Sequence, residues 1–352
     1  MQKHFTLLMV LMVVVMMDKA IAQDIHFSQF YDNPILRNPA LTGIFSGDYK
    51  AGVDYRSQWA NISVPYQTVL ADFETRIPIG KEVKDFLSLG LVATYDHAGT
   101  ISFNTVQVYP AINYNKSMED DHNTFFSAGF TGGYIQRSID ISKAQFSSQY
   151  VNGSYSSYNP TGENTSFKNI QSYDLGAGIS LNGSLGTYNH ANYYIGVSAY
   201  HVLQPNQAFL ATDNQVRVTP KFDGQFGFKC RLDDQFAITA HFNYTIQYPY
   251  QEIIGGGLLS WRSINTLEPH NTFTIYAGAF YRVGDAIIPT FKLDHKNYSV
   301  NLSYDVTLST LHTVNTGAGG FEISLFTRGV FSKERTAADA VKCPHFEVLD
   351  QD

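Results

Sequence analysis

The sequence predicts an all-β protein: a transmembrane antiparallel β-barrel of about 14 strands, preceded by an irregular segment and followed by a short tail. Three observations carry that expectation. Apolar and polar residues alternate, the alternation persists over long runs, and the composition is poor in charge and rich in aromatic residues.

From Tyr173 to Asn182 one face reads Tyr, Leu, Ala, Ile, Leu and the other Asp, Gly, Gly, Ser, Asn. From Tyr298 to Leu308, Tyr298, Val300, Leu302, Tyr304, Val306 and Leu308 alternate with Ser299, Asn301, Ser303, Asp305 and Thr307. From Phe236 to Tyr248, Phe236, Ile238, Ala240, Phe242, Tyr244, Ile246 and Tyr248 share one face, opposite Thr239, His241, Asn243, Thr245 and Gln247. A period of two places each set on one side of a strand. Such runs extend over roughly ten to fifteen residues, whereas strands of soluble proteins usually have five or six and a tilted membrane-spanning strand needs about 9–11.

The expected strands are 48–59, 65–77, 86–97, 101–114, 122–137, 168–184, 189–203, 218–232, 235–248, 251–263, 271–283, 286–294, 298–308 and 319–331. An even count puts both chain ends on the periplasmic side of the outer membrane. The two longest connections, Ser138–Phe167 and Gln204–Arg217, then follow the fifth and seventh strands and fall outside the cell. Short polar links such as Asp233-Asp234 and His295-Lys296-Asn297 fall inside.

Charged residues make up only 16% of the chain, against about 25% in ordinary soluble domains. There are 23 Tyr and 25 Phe but 12 Pro. The net charge is −7 without a Lys/Arg block, so no nucleic-acid partner is expected. Cys230 and Cys343 are too few for a disulfide framework, although they could pair after export.

Lys3, the apolar run Phe5–Met17 and the small-x-small triplet Ala20-Ile21-Ala22 read as a secretory signal peptide over 1–22, with Gln23 as the first mature residue. Residues 23–47 carry two Asn-Pro steps and no clear period. Phe27, Phe30, Tyr31, Ile35, Leu36 and Leu41 make this stretch too apolar for a disordered leader, so it must be buried in the lumen mouth or against a periplasmic partner. The barrel is assigned to 48–331 and a periplasmic tail to 332–352, where Lys333–Val341 fits a short charged helix.

Chemical motifs are absent. The 11 His form no His-x-x-x-His pair and there is no Cys-x-x-Cys, Gly-x-Ser-x-Gly or Walker sequence. No enzyme activity, cofactor or metal is expected. Asp72 and Glu74 share a strand face and are expected to meet Arg56 or Arg76 in the lumen, since a lipid-facing charge is costly. Arg56 and Trp59 have opposite parity. Arg56 is expected to point inward and hold the N-terminal segment by hydrogen bonds to backbone carbonyls or to Asp72 or Glu74, while Trp59 faces the outer interface.

Four blocks resemble one family. Asp24-Ile25-His26-Phe27-Ser28-Gln29-Phe30-Tyr31 with Asn33-Pro34 and Asn38-Pro39-Ala40-Leu41-Thr42-Gly43 is similar to the N-terminal signature of the PorP/SprF proteins. Tyr55-Arg56-Ser57-Gln58-Trp59 with Pro65-Tyr66-Gln67-Thr68 resembles their second signature. Tyr304-Asp305-Val306 with Gly319-Gly320-Phe321-Glu322 resembles the third, and Cys343-Pro344-His345-Phe346 the closing element. The resemblance implies an outer-membrane component of the type IX secretion system of Bacteroidota, which exports large proteins and supports gliding motility. It implies as partners the periplasmic ring and linked lipoproteins, a large surface adhesin or other cargo, and outer-membrane lipid. Partner-binding candidates on these blocks are Phe27, Ser28, Gln29, Tyr31, Asn33, Pro34, Asn38, Pro39, Gly43, Tyr55, Arg56, Gln58, Trp59, Tyr66, Gly320, Phe321, Glu322, Cys343, Pro344 and Phe346. The alternative is a passive porin or a transporter of hydrophobic small molecules.

Overall fold

A computed structural model describes residues 24–61, 64–79, 85–119, 123–162, 169–186, 190–209, 216–263, 272–310 and 312–331. The expected leader and the expected tail, with Cys343, Pro344 and Phe346, lie outside these residues.

Fourteen strands close into one barrel with every neighbour antiparallel. In chain order they are β1 (Tyr49–Gln58), β2 (Tyr66–Pro78), β3 (Phe86–Ala98), β4 (Phe103–Glu119), β5 (Thr124–Ser138), β8 (Ile170–Leu185), β9 (Ala191–Tyr200), β10 (Lys221–Arg231), β11 (Phe236–Gln247), β12 (Tyr250–Arg262), β13 (Phe273–Arg282), β14 (Ala286–His295), β15 (Tyr298–Thr307) and β16 (Ala318–Gly329). The pair β6 (Tyr150–Val151) and β7 (Ser154–Tyr155) is a small hairpin inside the longest loop. The seam joins β1 to β16, from Tyr49↔Gly329 to Gln58↔Gly320, which leaves the sheet without an edge. No helix among the described residues is long and apolar enough to cross a membrane.

Each expected span overlaps one barrel strand. The largest departures lie at strand ends. β4 continues to Glu119, because Asn115-Lys116-Ser117 keeps pairing with β5 although its polar run hides the period. β9 stops at Tyr200, because His201 takes a left-handed backbone, φ 56°, that cannot extend the ladder.

The alternation sorts inside out. Ile238, Phe242 and Ile246 of β11 face outward, while Thr239, His241, Asn243 and Gln247 are buried inside. In β15 the outward set is Tyr298, Leu302, Tyr304 and Val306, and Ser299, Asn301, Ser303, Asp305 and Thr307 are buried. An apolar exterior around a polar interior is the pattern a bilayer requires of a barrel wall.

Alternating strand direction assigns each connection to a mouth. Those over 59–65, 99–102, 139–169, 201–220, 248–249, 283–285 and 308–317 share one, hereafter the long-loop mouth. The remainder share the opposite mouth with the start of β1 and the end of β16.

Phe226 sits midway along β10 on the outward face. Phe226→Arg should destabilise the inserted barrel by ~2–4 kcal/mol, the cost of a cation near the bilayer midplane. Phe226→Leu should cost well under half as much. Urea unfolding of the barrel in liposomes measures both.

Candidate functional site: the segment inside the lumen

Residues 24–48 run the length of the lumen. At the long-loop mouth, the Asp24 N–H donates to Gln247 Oε1 at 3.2 Å, and Lys221 Nζ donates to the Asp24 carboxylate at 2.8 Å. Gln247 ends β11 and Lys221 begins β10. At the opposite mouth, Arg76 Nε donates to Gly47 O at 2.9 Å and the Asp48 N–H to Gly329 O at 2.7 Å. Asp24 and Phe331 therefore lie at opposite ends of the barrel.

Locally, the prolines shape the path. Pro34 opens a one-turn helix, Pro34–Arg37, and Pro39 opens a 3-10 turn, Pro39–Leu41. Proline suits the first turn, where its missing N–H costs nothing. Asn38 caps the second turn by accepting from the Ala40 N–H at 2.8 Å. Its amide nitrogen reaches Ile179 O, Val197 O and Gln225 Oε1 at 3.2, 3.2 and 3.0 Å.

So short and irregular a segment cannot satisfy its own backbone, and buried backbone groups left unpaired are costly. Wall side chains take over. Asn113 Nδ2 donates to Ala40 O and Thr42 O at 2.9 and 2.8 Å, Ser180 Oγ to Ala40 O at 2.9 Å, and Lys50 Nζ to Asp32 O at 2.8 Å. Gln225 Nε2 donates to Arg37 O at 3.0 Å, and Tyr200 donates to Ile35 O. Glu74 accepts from the Gly43 N–H at 2.7 Å.

Apolar side chains anchor on two opposed patches. Phe30 and Tyr31 pack with Ile254, Leu258, Tyr276, Phe280, Ala286 and Ile288. Phe27 and Ile35 pack with Leu70, Val92, Tyr109, Ala111 and Ile135. Tyr31 stacks on His241 with centroids 4.8 Å apart, and the Arg37 guanidinium lies 5.2 Å over the Phe30 ring. Full burial of each such side chain is worth ~1.5–3 kcal/mol. Close approach is possible where the wall has no side chain: a Cβ on Gly129 would sit 2.3 Å from the Pro39 carbonyl carbon. Gly43 itself has φ +81°, which favours glycine.

The densest junction is ionic. Arg56 points inward, is 1% exposed, and donates to Glu322 at 2.7 Å and to Asp305 at 2.8 Å. Glu322 also accepts the N–H groups of Ser28 and Gln29 at 2.8 and 2.7 Å. Ser28 Oγ donates to Asp305 at 2.6 Å and accepts from Arg282 at 2.7 Å and from Arg56. Arg282 pairs with Asp305 at 3.1 Å. Gln29 Nε2 reaches Ser303 Oγ and Glu322 O, both at 3.1 Å.

A second cluster latches the long-loop mouth. His201 Nδ1 lies 2.7 Å from Asp174 and its Nε2 3.4 Å from Asp24. Burial works against a charged imidazole, yet hydrogen bonds to Asp174 and Asp24 hold the His201 pKa up to about 9. Burial would raise the Asp24 carboxyl, but Lys221 and His201 keep it well below the usual range.

The motif residues divide. Phe27, Ser28, Gln29, Tyr31, Asn33, Pro34, Asn38, Pro39 and Gly43 lie on the threaded segment, and Arg56 and Glu322 meet it from the wall. Asn33 Nδ2 donates to Asp54 at 3.0 Å. Tyr55 and Phe321 face outward, and exposed Trp59 packs edge-on against Tyr66 with centroids 6.3 Å apart. Gln58 pairs with Gly320 in the seam. Arg56 does hold the segment, but through Ser28 and with Asp305 and Glu322 as partners. Asp72 and Glu74 lie inside as expected, and Glu74 serves Gly43 and Lys50 instead. Asp305, Arg282, Asn113, Ser180 and Gln225 were not among the candidates. The parity argument applied to Asp72 reaches Asp305 as well, because it sits on the polar face of β15 between Ser303 and Thr307.

A closed barrel with an apolar outer wall and its own N-terminal segment filling the lumen defines a plugged barrel of the outer-membrane type. A model of the type IX secretion system membrane protein PorP/SprF matches residues 20–326, and the chain belongs to that family. No curated protein matches it. Among solved structures, the toluene transporter TbuX of Ralstonia pickettii is similar over 84% of this chain and 93% of its own, with 11% identity and a TM-score of 0.50. A FadL homologue of Pseudomonas aeruginosa is similar over 82% and 92%, with 10% identity and a TM-score of 0.48. At such identity the likeness is one of barrel fold alone.

Arg56→Met would leave Glu322 and Asp305 short of a buried cation. It should cost ~3–5 kcal/mol, as breaking a buried pair does. Adding Glu322→Gln should recover part of the loss. Urea unfolding of the detergent-solubilised barrel, followed by electrophoretic mobility, measures both variants.

Proposed function

We propose that this barrel is a non-enzymatic component of the type IX secretion system, acting through protein contacts at its two mouths and not as a conduit. Family membership supports the system. The occupied lumen carries the mode of action: two cavities that lie beside residues 24–48 measure about 50 and 80 Å³. In this reading the opposite mouth and the tail dock on periplasmic ring and lipoprotein components. The long-loop mouth holds a large surface adhesin or other cargo, with gliding motility among the processes served.

The orientation follows from loop length. Placing 139–169 and 201–220 outside the cell puts the start of β1 and the end of β16 in the periplasm. The threaded segment then climbs from the periplasmic mouth to the outer one. After cleavage before Gln23, the new N-terminus would emerge outside while the C-terminal tail stays in the periplasm. This proposal departs from the expectation that both termini are periplasmic: wall parity locates the ends of the wall, and a threaded segment would carry the N-terminus across.

Deleting residues 24–47 should leave the barrel inserted, give it single-channel conductance that the intact protein lacks, and abolish secretion and co-purification of partners. Conductance by the intact protein would support the porin or small-molecule transporter reading instead. Normal secretion and partner recovery with the deleted protein would overturn the assigned role.

The orientation has its own test. A short epitope inserted after Gln23 should bind antibody on intact cells, whereas one at the C-terminus should need permeabilised cells. The reverse result would overturn the placement.

A further inference from the structure

The cavity of about 80 Å³ at the long-loop mouth lies between the threaded segment and strands β10 to β12. That is room for several waters or for a slim side chain, since a single water needs about 10–15 Å³. Phe27, Phe30 and Tyr250 contribute apolar surface, and Asp223, Asn243 and Glu252 contribute oxygens. Most charges around it are already engaged. Asp24 is held by Lys221 and His201, and Glu252 lies 3.4 Å from Arg282 Nε. Asp223 makes no ion pair within 4 Å among the described residues, and Lys221, two residues before it on β10, acts on it electrostatically while bonded to Asp24. One of its oxygens accepts from Thr245, and the other has no hydrogen-bond donor. Asn243 turns its amide nitrogen to Thr245 Oγ1 at 2.8 Å, which leaves its carbonyl oxygen without a donor too. Asp223 is 5% exposed and Asn243 3%.

Two buried acceptors without donors, one of them a carboxylate, call for a ligand that carries donors and positive charge. An anion would leave both oxygens without donors and lie against the Asp223 carboxylate, and a purely apolar guest would also leave them unpaired. We propose that this cavity binds an alkylammonium or guanidinium group, with its charged head on Asp223 and Asn243 and its methylene stem against Phe27, Phe30 and Tyr250. A lysine or arginine side chain of a polypeptide reaching into the mouth and a small free amine both present this chemistry. The site stands whether or not the secretion role holds.

The test is calorimetric titration of the full-length protein in detergent with three probes: N-acetyl-lysine methylamide, its norleucine counterpart, and 1,5-diaminopentane. The lysine probe should bind at least about tenfold more tightly than the norleucine probe. Asp223→Asn should weaken it about tenfold, and Asn243→Asp, which adds a second carboxylate, should strengthen it. The opposed signs separate a binding effect from misfolding. Binding of the lysine probe supports a polypeptide source, and binding of the diamine alone supports a small amine. Equal binding of the lysine and norleucine probes, no binding of either the lysine probe or the diamine, or no change with either variant in the affinity of the amine that binds, would overturn the site.

Discussion

An irregular backbone inside a barrel must find most of its hydrogen bonds from the wall, because it forms no regular ladder of its own. That constraint organises the interior. It explains why Asn113, Ser180, Gln225 and Lys50 face inward at the heights where Ala40, Thr42, Arg37 and Asp32 present carbonyls. It also explains the charge cluster. Glu322 receives two successive N–H groups of the segment, and a carboxylate can be kept in that place only with a cation beside it, which Arg56 provides. Asp305 and Arg282 complete the set around Ser28.

Much of the wall was legible because bilayer chemistry imposes a simple code. Strands of at least ten residues with a period of two, in a chain low in charge, leave little besides a membrane barrel. The interior was harder to read for a physical reason. Period-two patterning reports which face a residue occupies, not which residue stands across the lumen from it. Parity therefore puts Arg56 inside but does not single out its partners, which come from the far end of the sequence and not from Asp72 or Glu74 on the neighbouring strand. Ring closure brings β15 and β16 next to β1. The path of residues 24–48 was hidden as well, since Pro-rich segments have no period and their course is set by contacts with the wall.

The distribution of the family blocks has a related meaning. Three blocks far apart in sequence converge on the junction around Ser28, so what they encode in this protein is first of all the occupied lumen. Tyr55, Trp59 and Phe321, from the same blocks, lie instead on the outer surface near the long-loop mouth. Adjacent motif residues thus alternate between holding the segment and facing out, which is what strand geometry demands of a contiguous motif in a wall one residue thick.

The seam between β1 and β16 has a consequence for how the molecule is put together. Arg56 and Glu322 are register partners across it, and both also bind the segment that leads into β1. Neither has its full complement until the ring is shut and the segment lies inside. Shutting an empty ring would leave a row of inward donors and carboxylates with only water to answer them. The last zipping of the wall and the seating of the segment therefore reinforce each other, since the same two side chains serve both.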